Sequence, residues 1–263
     1  IPTDWPPSNP VYKENMAEIL KIQKKHPDKF IAFATAWNKD PKANEIIEEA
    51  IKNGARGIKF IDWTSSTEYP NEAGQVDSPN MYKVYEVARK YKVPILIHID
   101  FPKKLEWREQ FHRVAKDFSD VVFIIPHYCR AISKNPPALD LCSDTLDKFP
   151  NVYADISMGG PLNKYISLFD ENPKQFRDFI IKYQNRIVWG TDIIIDGNSL
   201  NSGEAKDAAW IFKRMLTDFF ALEMKGYLLP LHPEEKELHR GLELPNEVLQ
   251  KIYWDNPTRI LGS

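Results

Sequence analysis

Residues 93–100 read VPILIHID, a short apolar run that closes on His98 and Asp100. Continuous Val, Ile and Leu without polar alternation predict a strand covered on both faces, as in a parallel sheet. Two later stretches have the same form: residues 121–128, VVFIIPHY, with His127 near the end, and residues 186–192, RIVWGTD, ending on Asp192. Three such strands in parallel register would deliver His, His and Asp to one end of the sheet.

Outward from these runs the chain alternates strand and helix. Apolar runs begin near residues 30, 57, 94, 122, 152 and 187, and amphipathic segments such as 41–54, 81–92, 103–118, 137–150 and 173–185 lie between them. The interval is close to the ~30 residues of a βα unit in an eight-unit barrel. Six units are expected. A loop at 64–79, rich in Ser, Thr, Pro and Asn, is long enough to be functional. After Asp192 the sequence predicts a long amphipathic helix at 204–225 and no further strand before the chain closes with LPNEVLQKIYWDNPTRIL.

Alternating βα units leave a closed barrel or an open doubly wound sheet. No strand is followed by GxGxxG or GxxxxGK[ST], so a nucleotide-binding fold has no motif support. Polar residues instead close nearly every apolar run: Lys59 and Asp62, His98 and Asp100, His127 and Arg130, Asp155 and Ser157, then Asp192. In a barrel those ends form the active-site mouth. The fold class is therefore α/β, of the (β/α)8 TIM-barrel type, as a single domain over residues 1–263.

Composition narrows the partners. A net charge of -2, with 43% hydrophobic and 27% charged residues, gives no electrostatic reason to expect nucleic acid or an anionic membrane. A small-molecule substrate fits, and a homodimer stays open. No apolar stretch approaches the ~20 residues of a membrane helix, and IPTDWPPSNP is unlike a signal sequence. Cys129 and Cys142 form no zinc motif and no disulfide framework, which leaves cytoplasmic residence as the default.

His98 and Asp192 are the candidate metal ligands, because neutral imidazole and carboxylate suit Zn²⁺, Mn²⁺ or Fe²⁺. A buried histidine bonded to a backbone carbonyl is the rival reading of His98. His127 is the candidate acid/base or electrophile, and Asp192 could also take a proton from bound water. Arg130 could clamp a substrate carboxylate, Lys59 could serve substrate or a buried ion pair, and Trp63 could wall a pocket for a cyclic substrate. Asp155 and Ser157 rank second. His26, His112, His232 and His239 read as surface residues.

The ordered set GIKF, PILIHID, IIPHY, NVYADIS, IVWGTD and DNPTRIL resembles the amidohydrolase superfamily, in its branch of aromatic acid decarboxylases and lactone hydrolases. The likeness runs from about Phe30 to the end of the chain. It implies that His98 is the metal ligand of the fifth barrel strand, His127 the catalytic histidine of the sixth, and Asp192 the metal ligand and acid/base of the eighth. The family's first strand carries HxH, which this sequence lacks. The first two strands are thus expected to be absent from the chain, with an amino-terminal part missing. A divalent metal, foremost Zn, is the implied cofactor.

The expectation is a metal-dependent hydrolase or non-oxidative decarboxylase acting on a small cyclic or aromatic carboxylic acid or lactone. A non-catalytic or metal-free barrel that has lost HxH is the alternative. A glycoside hydrolase is disfavoured, since no strand ends in Glu.

Overall fold

A computed structural model describes residues 12–61, 75–133, 137–157, 169–193, 208–230, 234 and 236–262. Trp63, Asp62, His232 and most of the 64–79 loop lie outside the described residues.

Six strands, β1 (Phe33–Ala34), β2 (Gly57–Ile61), β3 (Ile95–His98), β4 (Phe123–Ile125), β5 (Val152–Asp155) and β6 (Ile187–Val188), form one sheet in chain order, every neighbouring pair parallel. Helices α1 (Tyr12–Lys25), α2 (Ala43–Lys52), α3 (Pro79–Tyr91), α4 (Leu105–Asp117), α5 (Leu139–Lys148) and α6 (Pro173–Lys182) precede the strands. This is the α/β arrangement of a TIM-type barrel wall. Among the described residues no strand joins β1 to β6. Helices α2 to α6 each bury one stripe of side chains. In α3 the buried Met81, Val84, Tyr85, Val87 and Ala88 follow helical spacing. Its start is set by the Ser78 side chain accepting from the Met81 amide and by Pro79 in the first turn.

Register decides which side chains meet. Lys59 pairs with Leu96, Leu96 with Ile124, Ile124 with Tyr153, and Asp155 with Val188. Side chains alternate with period two, so Lys59, His98 and Asp155 project from the same face of the sheet.

The carboxyl-terminal third adds α7 (Ala208–Glu223), a two-residue antiparallel pair β7 (Gly226–Tyr227) and β8 (His239–Arg240), then α8 (Asn246–Gln250), a π-helical turn (Lys251–Asp255) and α9 (Asn256–Leu261). The β7–β8 pair corrects the expectation of no further strand; two residues a side are too short to carry a pattern. Two histidines read as surface residues are buried: His112 Nε2 meets Thr145 Oγ1 at 2.9 Å, and His239 Nδ1 meets Asp170 Oδ2 at 2.8 Å. His239 sits on a two-residue strand with no pattern to read, and His112 lies beside Phe111 on the buried face of amphipathic α4.

The cysteines also need correction. Cys129 and Cys142 form a disulfide with a Cα–Cα distance of 5.4 Å, because the turn after β4 lies beside α5. Such bonds persist in oxidising compartments and are rare in the cytosol, so the cysteines lend no support to cytoplasmic residence. No described helix is long and apolar enough to cross a membrane.

The closing motif DNPTRIL has a structural role. Buried Asn256 donates its amide to the carbonyls of Gln184 and Ile187, each at 2.7 Å, and Arg259 donates to the carbonyls of Asn185 and to Asn256 Oδ1. The start of β6, which leads to Asp192, is thereby fixed to the end of the chain. Replacing Asn256→Ala strands two carbonyls without donors, which should cost about 2 kcal/mol or more and lower Tm by roughly 4–8 °C. Thermal unfolding followed by circular dichroism measures this; a shift within error would show that β6 is held by other means.

Candidate active site

β4 ends at Ile125, and the four residues after Pro126 leave ordinary backbone geometry. His127, Tyr128, Cys129 and Arg130 have φ of 58°, 54°, 56° and 62°, one turn of left-handed helix containing no glycine. Such backbone costs an L-residue about 1–2 kcal/mol each, so it persists only where its surroundings hold every residue. Here each residue is held by a different neighbour. His127 bonds Ser157 after β5; the Tyr128 ring packs on Phe169, Phe176 and Phe179; Cys129 is bonded to Cys142 of α5; and Arg130 pairs with Asp100 after β3. Asp192 is also left-handed, with φ 52°.

The turn sets the tautomer of His127. Nδ1 lies 3.1 Å from the Ser157 carbonyl oxygen and 3.0 Å from Ser157 Oγ. A carbonyl only accepts, so Nδ1 carries the hydrogen and Nε2 the lone pair. Nε2 faces Asp192 Oδ2 across 3.6 Å, too long for a direct hydrogen bond. The ring is buried, and burial lowers its pKa to about 4, so the imidazole is neutral. His98 stands edge-on with ring centroids 5.0 Å apart. Burial first, and then the charge of Lys59, push its pKa well down.

Two cations offset the acids. Lys59, buried on β2, has its pKa lowered to about 8 by burial, opposed by the charges of Asp192 and Asp155. Arg130 Nε lies 3.7 Å from Asp100 Oδ2. Asp192 is raised by burial against the pull of Lys59, Arg130 and Arg214. Asp155 accepts from the Ser157 amide through Oδ1. A Cβ on Gly190 would stand 3.0 Å from Asp155 Oδ2, which explains the glycine of WGTD.

His98, His127, Asp192, Lys59 and Arg130 are thus all brought to one end of the sheet, where their charges act on one another. Trp63 lies outside the described residues. Sequence reasoning gave Ser157 second rank, although it fixes the tautomer of His127. It missed Arg214 and Asp218, which are buried on α7 with Nη1 and Oδ1 2.9 Å apart. Their i,i+4 spacing reads as an exposed helix pair; the remaining signal was the apolar surroundings of Asp218, whose pKa burial raises to about 7.

Among the described residues no three His, Cys, Asp or Glu side chains form a cluster able to hold a metal ion. His98 and Asp192 are two donors of the right kind, one short of the three protein ligands of a catalytic zinc site.

Comparison with known proteins agrees with this architecture. A probable 2-pyrone-4,6-dicarboxylic acid hydrolase from Acinetobacter baumannii superposes with a TM-score of 0.60 at 13% identity, covering 95% of this chain and 79% of that one. An amidohydrolase from Burkholderia multivorans with bound zinc gives 0.55 at 11% identity, over 95% and 79% of the two chains. A dihydroxybenzoic acid decarboxylase from Polaromonas with bound manganese and the inhibitor 2-nitroresorcinol gives 0.54 at 13%, over 95% and 74%. At these identities the likeness is one of fold. No curated protein matches the chain. The family model described as Amidohydrolase matches residues 3–263, and with nearly the whole chain covered, this protein belongs to the amidohydrolase family.

Proposed function

We propose that the chain is a hydrolase or non-oxidative decarboxylase acting on a small cyclic or aromatic carboxylic acid or lactone. One observation carries the reading: a neutral imidazole whose Nε2 lone pair faces the Asp192 carboxyl across 3.6 Å, beside two cations. An oxygen of water or substrate seated beside the two groups, rather than between them, would be within reach of both. Amidohydrolase membership, and neighbours described as a probable pyrone dicarboxylic acid hydrolase and a dihydroxybenzoic acid decarboxylase, support the substrate class.

In hydrolysis, a water held beside His127 and Asp192 loses a proton to one of them and attacks the substrate carbonyl. The Lys59 ammonium then faces the oxyanion. The tautomer revises the role expected of His127: with the lone pair on Nε2 it accepts a proton before it can donate one to an oxyanion. In decarboxylation, Lys59 and Arg130 hold the carboxylates while protonated Asp192, whose pKa burial raises, gives its proton to the ring carbon that loses carbon dioxide.

The zinc and manganese of two neighbours make a divalent cation the cofactor to consider. The residues described do not complete such a site. His98 and Asp192 lack a third donor, and a buried ammonium, Lys59, acts on the same carboxylate.

The test is a panel of pyrone and other lactone carboxylates alongside hydroxybenzoates, with ring opening read by ultraviolet absorbance and carbon dioxide release by a coupled assay. One of the two classes should turn over. Asp192→Asn should lower kcat/KM by about 10²–10⁴. Turnover of neither class, or an undiminished Asp192→Asn protein, would refute the reading.

Loss of the Lys59 charge gives a separate expectation. Lys59→Met, of similar length, should lower kcat by ~10²–10³ if the ammonium faces developing charge. If it only holds substrate, KM rises and kcat stays; steady-state kinetics separate the two.

A further inference from the structure

The left-handed turn at residues 127–130 has four anchors, and one of them is covalent. The bonds of His127 to Ser157 and of Arg130 to Asp100, and the packing of Tyr128, are reversible contacts. Cys129 is tied to Cys142 by a disulfide, and both sulfur-bearing residues are buried. Within the turn itself the Arg130 amide donates to the His127 carbonyl at 2.8 Å.

The far end of the disulfide is a fixed post. Cys142 lies in α5, where Thr145 meets His112 of α4, the Tyr183 hydroxyl reaches Asp147 and the Ser143 carbonyl, and Arg186 bonds the carbonyls of Leu146 and Phe149. The Ala138 amide, at the start of α5, also donates to the Ala131 carbonyl just beyond the turn. Helix α5 therefore cannot follow the turn if the turn relaxes. None of the four residues is glycine, so each favours right-handed or extended backbone when released. Such a change at Cys129 would carry His127, two residues earlier, away from Ser157 and Asp192.

We propose that the Cys129–Cys142 disulfide is a positioning bond for the reaction. It holds the left-handed turn so that His127 keeps its hydrogen on Nδ1 and its lone pair toward Asp192. Cys129 and Cys142 are positioning residues, since neither touches the reacting atoms. Opening the bond takes two electrons and two protons, which a dithiol supplies as it becomes a disulfide itself, and leaves two buried thiols.

This inference rests on the proposed role of His127, so its test includes a readout that needs no substrate. Protein prepared without reductant and then denatured should show no free thiol; two titratable thiols would overturn the proposal. In the Cys129→Ala/Cys142→Ala protein, held well below its own Tm, the nitrogen-15 spectrum of His127 should change from the single Nδ1–H tautomer to a tautomer average. At the same temperature kcat should fall by about tenfold to a hundredfold, as for a misplaced catalytic group, with KM changed far less. An unchanged His127 spectrum would reduce the bond to a stabiliser of the fold and overturn the proposal. Should the double variant not fold, wild-type protein opened by a dithiol gives the same reading. A spectral change in a protein that turns over neither substrate class would uphold the positioning bond and refute the function proposed above.

Discussion

Parallel register is the constraint from which the site follows. Each strand pairs with its neighbour so that Lys59, Leu96, Ile124 and Tyr153 align across the sheet. Period-two alternation then sends Lys59, His98 and Asp155 to one face and Ile58, Phe60, Ile95 and Ile97 to the helix-covered side. A slip of one residue in β3 would exchange His98 for Ile97 at the mouth and place an imidazole against the helices. The apolar strands therefore fix the chemistry as firmly as the polar residues do, and the Asn256 brace on β6 extends that control to the strand leading to Asp192.

The second constraint is charge in a poorly hydrated space. A buried lysine is costly unless acids face it, and Lys59 is faced by Asp192 and Asp155. The same burial keeps both histidines neutral. The result is a site with two uncharged imidazoles, a lysine and an arginine, and carboxylates that balance them. Such an arrangement receives an anionic substrate without first neutralising an excess of negative charge. Arg214 strengthens it from α7: paired with Asp218, it also favours the ionised form of Asp192.

Much of this was legible in the sequence because a buried parallel strand has a plain signature. The runs that closed on His98, His127 and Asp192 are strands or strand exits in the structure, and all six strand starts fall within a few residues of their expected places. What was not legible depends on contacts distant in sequence. PHYCR contains no glycine, the usual mark of left-handed backbone, so nothing in it announces the turn. The partner of Cys129 lies 13 residues on, a spacing that carries no information until α5 is docked. His239, Arg214 and Asp218 occupy patterns that also fit an exposed surface, and only packing reveals them as buried.

Both residues assigned to proton transfer, His127 and Asp192, sit on left-handed backbone. Each conformation is unfavourable alone, and each is stabilised by contacts outside the reaction. For His127 these are Ser157, the aromatic cluster, the disulfide and Asp100. For Asp192 they lie just upstream, where the Trp189 amide donates to the Ile252 carbonyl and its ring stacks on Phe219 with centroids 4.8 Å apart. A relaxed backbone at either position would spread the side chain over several rotamers and lose the 3.6 Å approach between Nε2 and Oδ2. Strain of a few kcal/mol at two points, offset by packing at six or more others, is how an ordinary hydrophobic fold comes to hold two reactive groups at a fixed separation.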